Sequence, residues 1–410
     1  MSLVDLRNYI KTQKGYAFKS KWFKKKGIPI VKVKDFTDDS ISRENVDYIN
    51  DDIASDFKKY ELYKDDVIIQ TVGSWASNPN SVVGKAVKVP ATLQGSLLNQ
   101  NAVKIIPIEG LDNKFLYYTF RTEDFKGYII NTAQGAASQA SITLESIKNY
   151  EFHLPPLHTQ KRIADILSAY DDLIENNLKR IKLLEQAAQN IYKEWFVNLR
   201  FPGYEKTRIN EETGLPVGWK NGVISDFGKV VTGKTPPTKR KDFYGIDVPF
   251  IKTPDMHRNI YMENVEQYIS NKGADNQKNK YLPKNTVIVA CIGARAGVVG
   301  ITSRVSQTNQ QINALISKDR NANFWFYFFF KGYKDELRAL GSSGATMTNV
   351  SKGKFEGIKL IYPSGSLLKD FNKVTAICFD KILNLQKQNQ KLKAARDILL
   401  PRLMNRTIEV

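Results

Sequence analysis

The sequence predicts a mixed α/β chain, α+β in layout. Two copies of one domain are separated by two long helices that pair as an antiparallel coiled coil. Three observations predict it. A set of landmarks occurs twice in the same order, β-branched runs recur within each copy, and each copy leads into a long apolar stripe with alternating steps of four and three.

The landmarks come first, because a repeat decides the architecture. The segment from Gly27 to Asp35 (GIPIVKVKD) resembles that from Val248 to Asp255 (VPFIKTPD), and the segment Tyr63 to Ile69 resembles Leu282 to Val289. Val82-Val83-Gly84 matches Val298-Val299-Gly300, and Asn99-Gln100-Asn101 matches Asn309-Gln310-Gln311. Gly135 precedes a polar stretch and Ile142, as Gly344 precedes one and Val350; each copy then reaches a short strand ending in proline, at Pro155 and Pro363. Single matches are weak, but a common order at near-constant separation indicates duplication.

Within the copies, strands are expected at 28–33, 67–72, 82–89 and 102–106, then at 248–252, 287–292, 298–302 and 312–316. Residues 115–122 and 323–340 read as helical, the latter holding the aromatic run from Phe324 to Phe330. That run is too short to cross a bilayer and reads as a buried helix segment.

After the first copy, the 4-3 stripe runs Ile163, Leu167, Tyr170, Ile174, Asn177, Ile181, Leu184, Ala188, Ile191, Trp195. After the second it runs Phe371, Thr375, Cys378, Ile382, Leu385, Asn389, Leu392, Arg396, Leu399, Leu403, with Pro401 expected to stop or kink the last turn. Stripes of about 33 residues, near 50 Å, are too long for a small domain's interior and suggest a paired rod. An antiparallel pairing that sets Asn177 opposite Asn389 also matches Ile181 with Leu385, Ile174 with Leu392, Leu184 with Ile382, Leu167 with Leu399 and Trp195 with Phe371. It gathers the polar residues into one layer.

Composition bounds the function. With 61 Lys and Arg against 42 Asp and Glu, the formal charge is +19. Such an excess favours a polyanion partner. Cys291 and Cys378 lie far apart in apolar settings, so no disulfide framework is expected and a reducing cytoplasm fits. The start, MSLVDLRNYI, has no basic leader followed by an apolar core, so neither a signal peptide nor a membrane partner is expected.

Catalytic patterns are missing. His153, His158 and His257 lack metal-ligand spacing, no Cys-x-x-Cys occurs, and Leu154-Pro155-Pro156 lacks the flanking groups of an amino-methyltransferase motif. Gly293-Ala-Arg-Ala-Gly297 carries Arg where a nucleophile elbow needs Ser. The segment from Gly228 to Thr235 fits the phosphate-loop pattern letter for letter, but Pro236-Pro237 follows at once where a helix must start. A basic surface turn is expected instead, and no metal or cofactor of the chain's own.

Lys21, Lys24, Lys25 and Lys26 interleave with Trp22 and Phe23; Lys239, Arg240 and Lys241 hold a comparable position in copy two, with Lys234 nearby. An ordinary solvated surface explains each cluster alone, and their recurrence favours phosphate contact. Polar groups on the loops are candidates for base edges, because amide and guanidinium groups pair bidentately with adenine and guanine. They are Ser74, Trp75, Ser77, Asn78, Gln134, Ser138 and Gln139 in copy one, and Arg295, Thr346, Thr348 and Asn349 in copy two.

These residues lead to a resemblance. The first helix opens with LPPLHTQKRI, from Leu154 to Ile163, and leaves through YKEWFV, from Tyr192, and Arg200-Phe-Pro-Gly203. Copy two starts with Leu215-Pro-Val-Gly-Trp219 and the Thr232-Gly-Lys-Thr-Pro236 turn, and the chain ends with RDILLPRLM from Arg396. In these motifs, and along essentially its whole length, the chain resembles the specificity subunits of Type I restriction–modification systems. It departs in two places: the first domain lacks the Leu-Pro-x-Gly-Trp opening and is expected to start at a later strand, and the second helix lacks a glutamine at its start.

The resemblance implies target recognition domains over 1–155 and 201–363, and helical regions over 156–200 and 364–410. It implies a non-catalytic, cytoplasmic, double-stranded-DNA-binding subunit that reads a split, asymmetric site. Two methyltransferase subunits bring S-adenosylmethionine, and restriction subunits bring ATP and Mg. Two half-sites about one turn apart, ~34–36 Å, face one side of a duplex. Two alternatives stand: an enzyme using the Gly233-Lys234-Thr235 turn, and a sequence-neutral module whose aromatics stack on single strands.

Overall fold

The structure is a computed structural model describing residues 3–38, 40–44, 46–75, 82–136, 139–257, 259–342 and 348–410. The chain divides into two compact units, residues 1–173 with 392–410 and residues 174–391. Each takes in one β-rich domain and a stretch of both long helices.

The first unit opens with β1 (Leu3–Asp5), whose antiparallel partner is β12 (Glu151–His153). A four-stranded sheet follows, in the order β2 (Ile10–Lys14), β9 (Ala102–Pro107), β5 (Val67–Gln70), β7 (Ala86–Lys88). A smaller sheet places β3 (Ile28–Val31) between antiparallel β4 (Asp47–Ile49) and parallel β8 (Leu97–Leu98). A third joins the hairpin of β10 (Gln134–Ala136) and β11 (Gln139–Ser141) to β6 (Val72–Gly73). Helices Asn113–Thr119 and Glu123–Thr132 start where Asp112 and Thr122 cap them, accepting from the amides of Phe115 and Phe125. Their buried faces, Phe115 to Tyr118, Phe125 and Ile129, fill the core against β2, β5 and β9.

The second unit repeats this plan. β13 (Lys220–Val223) pairs with β22 (Lys359–Tyr362). The main sheet runs β14 (Gly228–Thr232), β21 (Ile312–Ser317), β18 (Val287–Ala290), β19 (Val299–Thr302), β16 (Tyr261–Met262). β15 (Tyr244–Ile251) lies between antiparallel β17 (Tyr268–Ile269) and parallel β20 (Gln307–Thr308), as β3 does in the first unit. The aromatic run forms the helix Asn323–Gly332, with Phe324 to Phe328 and Phe330 buried. Among the described residues, no helix is long and apolar enough to cross a membrane.

Topology corrects four expectations. The first domain does not start at a later strand: β1–β12 is the counterpart of β13–β22, and only the residues leading into it differ. Gly84 corresponds to Gly297 rather than Gly300. Both glycines have positive φ, +81° and +88°, and their amides donate to the equivalent carbonyls of Gln70 and Ala290. Of the expected strand 82–89, residues 86–88 form β7 and Val82 makes only an isolated bridge with Ser74, because the chain turns at Gly84. The expected helix 323–340 is two helices, broken at Tyr333.

The long helices span Leu157–Tyr192 and Gly365–Met404, 36 and 40 residues. Pro401 sits inside the second, which ends one turn later. The first ends in a wider turn, with the Asn198 amide bonded to the Lys193 carbonyl five residues back.

Candidate nucleic-acid interface

In the second unit, Thr232 lies opposite Asn313, and Ala290 opposite Ile312. That register gathers four segments at one end of the main sheet: the turn 233–236 and the loops 308–311, 291–297 and 348–350. Asn313 ties them together, accepting from the Thr232 hydroxyl at 2.6 Å and donating to the Val350 carbonyl at 3.2 Å. Gly233 is required at the turn, since a Cβ there would sit 2.1 Å from the Asn309 carbonyl oxygen.

The turn is not a phosphate loop. Gly228–Thr232 is β14, with its residues paired to β21, so the amides that would cradle phosphates lie in a ladder. No helix starts at Lys234-Thr235; the Lys234 amide donates to the Thr308 carbonyl, and the Pro236 carbonyl accepts from the Tyr244 hydroxyl. Lys234 itself is exposed. Lys280 donates to the Thr232 carbonyl at 2.9 Å. Burial lowers its pKa, as do the nearby charges of Lys352, Lys234 and Lys229. Four lysines converge here from distant parts of the chain, a field suited to a phosphate backbone. Nothing in the sequence signals Lys229, Lys280 or Lys352, because only the sheet brings them together.

Arg295, half-buried, closes the turn Gly293–Arg295. The Gly293 amide donates to the Thr348 carbonyl at 2.8 Å, and Asn349 forms a bridge with Ile292, so Arg295, Thr348 and Asn349 do gather. Thr346 and Gly344 lie outside the described residues. Lys239 and Lys241 are exposed. Arg240 makes two 2.8 Å bonds to Asp242 and lies 4.4 Å over Phe243. With Lys272 also bound, these cations hold the Asp242 carboxyl well below the usual range. The guanidinium face of Arg240 is therefore already engaged.

The first unit builds the same sheet end. Tyr16 takes the place of Lys234, its amide donating to Leu98 as that of Lys234 does to Thr308. Lys21, Lys24, Lys25 and Lys26 are all exposed. Their interleaved aromatics are only half-buried: Trp22 and Phe23 pack on Phe18, Phe57 and neighbours. Trp75 is likewise pinned, its indole N–H donating to Ala136 at 3.0 Å and its ring against the core. Ser74 forms a bridge with Val82. Gln134 lies opposite Ser141 and Gln139 opposite Ala136, all exposed, while Ala140 on the other face is fully buried. Both glutamines thus share the outward face of a ribbon that Trp75 holds. Ser77, Asn78 and Ser138 lie outside the described residues.

The helix seam is resolved in each unit separately. In the second, Asn177 donates to Asn389 at 2.9 Å, and both side chains are buried, at 6% and 7% exposure. Ile181, Leu184, Ala188 and Ile191 join the cluster holding Phe371, Phe379 and Ile382, and Trp195 lies 5.9 Å from Phe371. Leu385 is buried. The wide last turn also puts Phe196 on Phe371, Trp325 and Trp219. In the first unit, Ile163 and Leu167 pack with Leu399, Leu400 and Leu403. Arg396 bonds Asp171 at 2.6 Å, and the other oxygen of Asp171 accepts from the Tyr118 hydroxyl at 2.6 Å. Tyr170 and Leu392 are half-buried there, and Ile174, the first residue of the second unit, is buried. Both cysteines are free; burial pushes the Cys291 thiol up to about 12. Among the described residues, no cluster of His, Cys, Asp and Glu could hold a metal ion.

The chain is similar to known proteins in sequence and in fold. The family described as Type I restriction modification DNA specificity domain matches residues 1–186 and 216–394. The chain is 32% identical over 343 residues to the Type I restriction enzyme HindI specificity subunit of Haemophilus influenzae, covering 69% of this chain and 74% of that protein. It is 26% identical over 390 residues to the putative type I restriction enzyme MjaX specificity subunit of Methanocaldococcus jannaschii, covering 94% and 88%. In fold it is similar to the S subunit of a Type-I restriction-modification system from M. genitalium. The TM-score is 0.57 at 15% identity, over 98% of this chain and 96% of that one. By its two matched segments, the chain belongs to the family of Type I restriction–modification DNA specificity subunits.

Proposed function

We propose that this chain reads a bipartite, asymmetric duplex DNA site, one half with each domain, and that it positions catalytic partners without doing chemistry itself. One observation carries the reading. The two domains build one sheet end from equivalent segments but arm it differently: Tyr16 stands where the other copy has Lys234, each amide donating to the equivalent carbonyl of Leu98 or Thr308. Equivalent scaffolds with unlike side chains suit two unlike half-sites. The excess of cations supports a duplex backbone as the common partner. Two methyltransferase subunits supply adenine methylation from S-adenosylmethionine, and restriction subunits supply ATP- and Mg-dependent cleavage, in the cytoplasm where the genome lies.

The test is co-expression of the full chain with its methyltransferase subunit, followed by genome-wide mapping of methylated adenines. A split sequence with an unread spacer is expected. Methylation scattered over unrelated sequences would overturn the reading, as would methyl transfer by the highly purified chain alone.

A further inference from the structure

Each domain carries a three-residue landmark in the loop before its central strand, Asn99-Gln100-Asn101 and Asn309-Gln310-Gln311. The outer residues are structural. The amides of Asn99 and Asn309 donate to Val31 and Ile251, and the carbonyls of Asn101 and Gln311 accept from Thr71 and Cys291. The Gln311 side chain also accepts from the Thr253 hydroxyl at 2.8 Å. The middle glutamine is exposed in both copies. Among the described residues Gln100 makes no hydrogen bond, and Gln310 only accepts one, from the Thr235 hydroxyl at 2.7 Å, which leaves its NH2 group undirected. The fold therefore makes no use of the Gln100 amide and engages only the oxygen of the Gln310 amide, leaving its NH2 group and a second oxygen lone pair open. Yet both stand at the same point of the same sheet end, beside the turn that carries Tyr16 in one copy and Lys234 in the other.

A side chain shared by two otherwise unlike reading surfaces serves what their targets share. An exposed primary amide offers one donor and one acceptor in one plane, the pattern that pairs with N7 and the N6 amino group of adenine in the major groove. We propose that Gln100 and Gln310 are specificity-determining residues that each read an adenine in an A·T pair common to both half-sites. The proposal rests on the split-site reading above.

The test uses the full chain co-expressed with its methyltransferase subunit and duplexes altered one position at a time. Gln100→Ala should weaken discrimination at one A·T position of one half-site by about tenfold, and Gln310→Ala should do so in the other half only. Gln310→Glu leaves only acceptors, so preference at its position should move from adenine toward cytosine, whose N4 amino group donates. Melting temperatures should be unchanged, because both side chains are exposed. If the wild-type complex reads a split site and these variants read the same bases equally well, this proposal fails and the function stands. A loss of affinity equal for all sequences, or a collapse in stability, overturns it as well. If the wild-type complex reads no split site, the functional reading fails, and this proposal with it.

Discussion

Asp171 holds three polar partners in a nearly dry place. Arg396, with a side chain 3% exposed, and the Tyr118 hydroxyl each bond one carboxylate oxygen, and Lys88 lies 3.7 Å away. Burial and this carboxylate together raise the Tyr118 pKa. Asp171→Ala leaves the buried Arg396 guanidinium to the exposed Asp397 carboxylate, 2.9 Å away, and leaves the Tyr118 hydroxyl without its acceptor, so it should cost about 1–3 kcal/mol, read by denaturant unfolding. A cost under 1 kcal/mol would mean that water reaches the site. Asp35 gives a pH signature. Its carboxylate accepts from the Lys32 amide at 2.9 Å, yet burial raises its pKa from 3.8 to about 6. A folded pKa above the unfolded one means that the charged form is disfavoured in the fold. The cost is full above pH 6, shrinks as pH falls toward 3.8, and is absent below it. Replacing Asp35 with Asn should therefore flatten the stability profile between those values, relative to wild type. At the sheet end, Lys234→Ala should weaken DNA binding about equally for every sequence and lower the salt slope by about one unit. A change in base preference would make Lys234 a base reader instead.

Among the elements, the paired long helices depend on a polar layer inside an apolar seam. Asn177 and Asn389 satisfy each other while buried. A single Asn177→Leu leaves the Asn389 amide facing a methyl surface and should cost about 1–3 kcal/mol. Replacing both should recover that loss and raise the melting temperature while weakening the penalty on slipped registers. A single variant as stable as wild type would place no value on the amide pair. The seam's position could be read from 4-3 spacing alone, because a helix repeats its face every seven residues whatever it packs against. Arg396 also falls on that spacing, but its tolerance there depends on Asp171, which no periodicity announces.

For the whole chain, duplication makes a prediction no single residue makes. Each domain has its own sheets and its own core cluster, so one can be exchanged without rebuilding the other. Replacing residues 1–155 with the first domain of another family member should change one half of the methylated sequence and leave the other intact. A change in both halves would contradict independent reading.

The sequence by itself determined the duplication, the two long helices, their seam and the family. These signals are local or periodic: a repeated order of motifs, a 4-3 stripe, a run of aromatics at helical length. It missed β2 and β14, because four of the five residues of IKTQK are polar and GKVVT carries a phosphate-loop pattern whose backbone the ladder with β21 in fact occupies. It misaligned Gly84 by three residues, because identical letters conceal which glycine has the positive φ. Only the tertiary structure decided which polar residues are available. It packed Trp22, Phe23 and Trp75 half-buried against the core, gathered Lys229, Lys234, Lys280 and Lys352, and left Gln100 and Gln310 exposed. The physical reason is that a side chain's availability depends on neighbours brought close by strand pairing between distant segments, and strand pairing leaves no periodic mark on the residues it gathers.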